Sequence, residues 1–340
     1  MDPFGALRPN AVFVGFSSDA AKGRATRGRL PMSDANRTKS QASKPEPLRE
    51  LLGGLQRLLG PILPRRWRAD AVIVPVIRMT GVIGFATPLR PGITLAGFAR
   101  TLDRAFGLGR IKAVALAINS PGGSAAQSHL IFRRIRQLAE EKDVPVIAAV
   151  EDVAASGGYM IACAADEIVC DPTSIVGSIG VIGASFGLHE AIRKLGIERR
   201  IYTAGEHKSM LDPFLPEKPD EVERIKAIQQ EIHQIFIDLV RRRRGGRLTG
   251  PENTVFSGEY WTAPTALGLG LVDRIGDLRS YLRERFGAQV VTPLIAPERG
   301  LFGRRAPGVW GETSVPFDRM IVDEVISAVE ARAIWARYGL

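Results

Sequence analysis

From residue 71 onward, short apolar runs alternate with longer stretches whose apolar residues recur at helical spacing. The runs are VIVPVI (72–77), IKAVALAI (111–118), VPVIAAV (144–150) and EIVC (167–170). They are too short for helices and rich in Val and Ile, so they predict buried strands, and their alternation with helices predicts α/β architecture. Helical spacing marks 125–142, led by Leu130, Ile131, Ile135 and Leu138, then 186–195 and 220–242. A terminal amphipathic helix at about 317–338 follows a Pro/Gly-rich stretch at 293–316 and reads as a docking or assembly element. No repeat of 20 to 50 residues is visible.

The N-terminal part lacks this rhythm. Residues 1–46 are rich in Arg, Ser, Ala and Gly without periodicity, which predicts disorder. Met32 opens the polar segment MSDANRTKS and is an alternative start to Met1; a transit peptide is opposed by Asp2, Asp19 and Asp34. Residues 47–68 carry leucines at helical spacing and close on Arg65, Arg66, Trp67 and Arg68. Such a basic amphipathic helix suits an anionic membrane surface, or a leucine face packed on the protein or a neighbouring subunit. The expected division is therefore 1–46 disordered, 47–70 amphipathic helix, 71–287 a single α/β domain, 288–316 linker and 317–340 terminal helix.

Composition adds limits. The formal net charge is +10 in 340 residues, but residues 1–70 hold 13 Lys/Arg against 6 Asp/Glu, so most of the excess lies outside the α/β domain. No basic stripe interleaved with aromatics is present, and nucleic acid is not an expected partner. The tetrad Arg241 to Arg244, followed by two glycines, reads as an ordinary helix end. Cys163 and Cys170 read as reduced core residues. No run reaches the roughly 18 to 20 apolar residues of a membrane-crossing helix, and no secretory signal is evident, so a soluble or peripheral protein is expected.

Three glycine-containing turns follow predicted strands. Asn119-Ser120-Pro121-Gly122-Gly123 comes first; paired glycines let backbone N–H groups approach a ligand, though such a turn alone is more often only a turn. Ala155-Ser156-Gly157-Gly158 comes second, and Ser156 is either a helix N-cap or a nucleophile with donors beside it. Gly177-Ser178-Ile179-Gly180 comes third; its hydroxyl is either a turn group or an orienter for a base. No G-x-S-x-G elbow occurs, and of the four histidines only His207 falls in a promising loop. Lys208, beside it, is the alternative base, provided burial or cationic neighbours keep it neutral. No metal-ligand cluster or nucleotide-binding loop is apparent, so no cofactor is expected.

Taken together, these segments resemble the signal peptide peptidase A family of Ser–Lys serine peptidases. The resemblance covers about 71–287: VIVPVIRMTGVIGF, NSPGG at 119–123, AASGGYMIACAADEIVCDPTSIVGSIGVIG at 154–183, the Lys208 loop and FSGEYWTAPTALGLGLVDRIG at 256–276. It implies a Clp protease/crotonase-like spiral of ββα units and an acyl-enzyme mechanism. Ser156 would be the nucleophile, Lys208 the base and Ser178 the lysine-orienting hydroxyl. Gly123 and Gly157 would supply oxyanion N–H groups, with Gly122 shaping the turn. It also implies peptide substrates, a ring or dome homo-oligomer with sites at protomer contacts, and a bacterial protein, membrane-associated or cytoplasmic. A crotonase-like acyl-CoA enzyme and a non-catalytic scaffold of the same fold are the alternatives.

Overall fold

The computed structural model describes residues 71–84, 92–296, 329, 332–336 and 338. The chain divides at residue 51, and every described residue belongs to the unit Leu52–Leu340. The segments expected at 1–46 and 47–70 lie outside the described residues, as do 297–328.

The elements are β1 (Val76–Thr80), α1 (Leu95–Phe106), β2 (Val114–Ser120), α2 (Ala125–Lys142), β3 (Val146–Ala155), α3 (Gly157–Ala162), β4 (Glu167–Cys170) and β5 (Ile175–Gly177). They continue with α4 (His189–Lys194), α5 (Pro219–Arg244), α6 (Glu252–Val255), β6 (Tyr260–Thr262), α7 (Ala263–Gly268), β7 (Arg274–Ile275) and α8 (Leu278–Phe286). The expected α/β class holds. Strands run β1-β2-β3-β4-β7, all parallel, while β5 joins the far end of β3 in parallel and β6 closes on β5 antiparallel. β2 is buried along its whole length, as a central parallel strand covered on both faces must be.

β3 runs ten residues and ends five beyond the run predicted at 144–150, and this extension shapes the molecule. Its first half pairs with β4 through Ile147 to Val150, its second with β5 through Val153 to Ala155. Between them the register with β2 shifts at Glu151 and Asp152. The polar pair is held there by Arg78 on Glu151 (2.8 Å) and by the Asn119 amide donating to Asp152. Such an irregularity bends the strand and increases its twist. The end of β3 is thereby carried away from β4 and onto β5.

α2 buries Ser128, Ile131, Phe132, Ile135, Leu138 and Ala139. Leu130, expected on that face, is 42% exposed, because the buried stripe runs one position out of phase with it. Residues 291–295, expected within a linker, run parallel beside 72–76 and cover the β1 edge, with Val74 N–H to Val291 O and Val76 N–H to Pro293 O both at 2.9 Å. Covering an edge satisfies its backbone groups.

The arginine tetrad does end a helix, α5, yet two of its members are structural. Arg244 is 1% exposed, donating to Gly270 O (2.8 and 3.1 Å) and pairing with Asp273 at 2.7 Å. Arg243 pairs with Asp166 at 2.8 Å. Both cysteines are buried and free, and burial pushes each thiol up to about 12, which leaves them inert.

Candidate active site

Parallel strands lying side by side bring their C-terminal ends to one place, where α/β proteins build their sites. Here β2, β3 and β5 end together, and the three turns singled out in the sequence follow those three ends.

Ser156 links β3 to α3 at φ 51 and ψ −121. A non-glycine residue held at positive φ costs on the order of 1–3 kcal/mol and persists only where its surroundings enforce it. The restraint is visible: Ser156 N–H donates to Gly177 O at 2.8 Å, and Ser156 O accepts from Met160 N–H at 3.0 Å. The side chain forms no capping hydrogen bond to α3, so Ser156 occupies a cap position without capping. Ser124, by contrast, does cap its helix, accepting from Gln127 N–H at 3.3 Å. The hydroxyl of Ser156 is thus presented by a strained strand-to-helix turn, half-buried, without a cap's duty.

Gly122 and Gly123 adopt φ values of +101 and +140, which L side chains avoid. A methyl on Gly122 would stand 2.8 Å from Ser156 Cβ and 3.0 Å from Gly157 N, so the first turn is packed directly against the second. On its other side Gly123 is clamped by β1's continuation, with Ile83 N–H to Gly122 O at 2.8 Å and Ser124 N–H to Ile83 O at 2.9 Å. Among the described residues neither the Gly123 nor the Gly157 N–H donates a backbone hydrogen bond. Two backbone donors beside a strained serine, with no partner among the described residues, form an arrangement that can hold an oxyanion.

Ser178 follows Gly177, whose carbonyl receives the Ser156 N–H, so the two serines leave adjacent strands side by side. Its φ is 53, fixed by its N–H on Glu259 O at 2.6 Å. His233 of α5 meets the next carbonyl, Ile179 O, at 2.9 Å and braces this turn from behind.

Five of the six expected residues, Ser156, Gly157, Gly122, Gly123 and Ser178, therefore come together. Lys208 does not. It is exposed in a turn-rich stretch, its N–H on Gly205 O at 3.2 Å, and no contact with Ser156 or Ser178 is found among the described residues. The arm that carries it, about 181–215, exposes Ile182 (65%), Phe186 (82%), Leu195 (73%) and Tyr202 (92%), and α4 buries nothing. A cavity of about 480 Å³ lined by His189, Ile192, Arg199 and Phe214 lies on this arm and contains none of the candidate residues.

One participant was not singled out by sequence. Tyr338, in the terminal segment, is 8% exposed and packs with Val153 and Ala155, with Trp335 and Ile175 beside it. Its hydroxyl lies 3.4 Å from both Pro121 O and Ser178 Oγ. The only hint in the sequence was a terminal amphipathic helix with two aromatic residues three apart.

Among known proteins, residues 138–286 match the model of Peptidase family S49. The chain is 52% identical over 291 residues to a protein named Na(+)/H(+) antiporter NhaA from Brucella abortus, covering 84% of this chain and 39% of that protein. It is 39% identical over 170 residues to the chloroplastic serine protease SPPA of Arabidopsis thaliana, covering 50% of this chain and 25% of that one. The chain thus spans well under half the length of these curated relatives. A solved structure of a mutant of the 1510-N membrane-bound stomatin-specific protease is similar at a TM-score of 0.39 and 17% identity, covering 67% of this chain and 94% of that one. Among the described residues no helix is long and apolar enough to cross a membrane.

Proposed function

We infer that this chain, a member of the signal peptide peptidase A family through its peptidase family S49 domain, is a serine peptidase using Ser156 as nucleophile and Lys208 as general base. The observation that carries this reading is Ser156 held at φ 51 beside the Gly122 turn, its hydroxyl excused from capping.

In the proposed reaction, neutral Lys208 Nζ takes the proton of Ser156 Oγ as that oxygen attacks the scissile carbonyl carbon. The Gly123 and Gly157 N–H groups stabilise the oxyanion, each worth about 3–4 kcal/mol of barrier. Lysine returns its proton to the leaving amine, which departs to leave an ester on Ser156. Water, deprotonated by the same lysine, then releases the acid and restores the serine. Ser178 Oγ orients the amine.

A lysine acts as a base only when neutral, which needs burial or cationic neighbours. Lys208 is exposed on an arm that also exposes large apolar side chains, which supports delivery of the arm into a second copy, where Lys208 meets that copy's Ser156 and Ser178. The proposed working form is a ring or dome of identical chains. Its substrates are unfolded or membrane-released peptides, including signal-peptide remnants, and the 47–68 segment offers peripheral contact with a membrane.

The test is hydrolysis of fluorogenic apolar peptides near pH 8 by wild type, Ser156→Ala and Lys208→Ala, with mass by light scattering. Wild type is expected to cleave as an oligomer, and both variants to fall to background while staying assembled. Equal rates in all three, or full activity in a monomer, would overturn the dyad or the assembly respectively.

A further inference from the structure

Ser120 is the last residue of β2, next to the Pro121-Gly122-Gly123 turn, and it is fully buried. Its hydroxyl donates to Gly81 O at 2.7 Å, and the same oxygen accepts from Gly122 N–H at 3.3 Å. A hydroxyl can give and take at one atom, and here both partners are glycine backbone groups. The turn contains two consecutive peptide planes joined at Gly122 Cα, where φ is +101 and the absence of a side chain leaves the hinge free to swing. The Pro121–Gly122 plane is held by Ser120 through the Gly122 N–H. The Gly122–Gly123 plane is held at Gly122 O by Ile83 N–H at 2.8 Å. In a trans peptide the N–H points away from its C=O, so that second bond turns the Gly123 N–H away from Ile83, without a backbone partner among the described residues. Ser120 bears on both planes, because Gly81 O, its other partner, belongs to the stretch that carries Ile83. Its backbone meets the second turn as well: a methyl on Gly158 would stand 2.5 Å from Ser120 O.

We propose that Ser120 is a positioning residue for the candidate site: its hydroxyl locks the Gly122 hinge and thereby aims the Gly123 N–H at the oxyanion. The inference rests on the peptidase reading for the reaction that the turn serves. Ser120 touches no substrate, since its side chain is enclosed and both its bonds go to backbone. Without the hydroxyl, Gly122 N–H and Gly81 O lose their partner in the interior, and the turn is drawn to another arrangement that satisfies them. Ser156 keeps its own backbone bonds, to Gly177 O and Met160 N–H, so the nucleophile stays in place while one donor drifts. The oxyanion forms only as the carbonyl is attacked, so the loss falls on kcat rather than on KM.

The experiment measures kcat and KM of the full-length chain on a fluorogenic apolar peptide, with urea midpoints as the record of folding. Ser120→Ala is expected to lower kcat about ten- to a hundredfold with KM within about twofold. The control is Ser174→Ala. Ser174 is 1% exposed, and its hydroxyl also reaches strand backbone, Val150 O at 3.2 Å and Glu151 O, neither of them in a glycine turn. That variant is expected to lower the urea midpoint as Ser120→Ala does, while leaving kcat within about twofold of wild type. Ser120→Cys fills the same space with a group that hydrogen-bonds only weakly, and its kcat is expected to fall between those of wild type and Ser120→Ala. It carries the test if the alanine variant does not fold. A folded Ser120→Ala or Ser120→Cys chain with wild-type kcat, or a loss seen in KM alone, would overturn the proposal. Equal losses of kcat in Ser120→Ala and Ser174→Ala would do the same. Failure of the peptidase reading shows separately, as no cleavage by wild type, and would remove this proposal with it.

Discussion

Gly122→Ala separates a turn that merely connects two elements from one that builds a site. The new methyl would stand 2.8 Å from Ser156 Cβ, 2.9 Å from Ala155 O and 3.0 Å from Gly157 N, at a residue whose φ is +101. Two costs add. Forcing an L side chain into that conformation costs about 1–2 kcal/mol, and crowding two backbone atoms that cannot rotate away costs about 1–3 kcal/mol more. A loss of about 2–5 kcal/mol in unfolding free energy is expected from urea denaturation. Relief must come from moving Ser156 and Gly157, so if these are nucleophile and oxyanion donor, kcat falls by about 10²–10³, the loss typical of a misplaced donor. Gly287→Ala is the control: φ is +91 there too, but a methyl meets nothing within 4 Å, so it bears the backbone cost with no effect on kcat. A folded Gly122→Ala protein with kcat within about threefold of wild type would refute the placement of this turn in the site. Equal losses of kcat in both variants would refute it as well.

Two further outcomes concern the framework. Arg244→Ala removes the buried guanidinium from Gly270 O and from Asp273, which keeps only the Ile168 N–H and Arg247 at 3.6 Å, and is expected to cost about 3–5 kcal/mol of stability, whereas Arg242→Ala, two residues earlier on the exposed face, stays within about 0.5 kcal/mol; urea midpoints that shift alike would contradict this. For Asp166, burial works to raise the carboxyl, but the Val146 N–H and the Arg243 and Arg136 guanidinium groups outweigh it and hold the group below the usual carboxylate range. A depressed folded value means its contribution is complete above about pH 4 and is lost as pH falls through that folded value. Asp166→Asn should therefore be destabilised at pH 7, with the gap to wild type closing as pH falls from about 4 through the depressed folded value; a gap constant with pH would refute the linkage.

The sequence carried β1 to β4 and the site's turns because both are local signals, while β5, β6 and β7, two or three residues long, leave no apolar run to read. Val/Ile runs and paired glycines are enough to align the ends of β2 and β3, since neighbouring parallel strands place their C-termini together; that the third turn follows β5 beside them comes from the pairing of β5 with the end of β3. What it did not carry was tertiary in origin. Leu130 has the right residue type for the α2 core and the wrong phase, which only the packed stripe from Ser128 to Ala139 reveals. The continuation of β3 through Glu151 and Asp152 is invisible to an apolar pattern, because two charged residues interrupt a strand that Arg78 and Asn119 hold in place. Whether the Ser156 side chain caps α3 depends on a backbone angle, and no residue type encodes it.

The proposed nucleophile and the proposed base differ in legibility for the same reason. Ser156, Gly122 and Ser178 are each within two residues of a strand end, so the sheet fixes them relative to one another before any partner is present. Lys208 has no strand beside it. It rides an arm whose large apolar side chains are exposed, and no sheet register fixes its place relative to Ser156. In the single chain, Ser178 Oγ is met instead by Tyr338, from the opposite end of the sequence. If arrival of an arm from another copy displaces that tyrosine, assembly does two things at one oxygen: it frees the Ser178 hydroxyl and it supplies the base. Activity would then rise more steeply with protein concentration in wild type than in Tyr338→Ala, because only wild type must displace the tyrosine as it assembles. Dilution series of the two proteins with parallel slopes would refute that coupling.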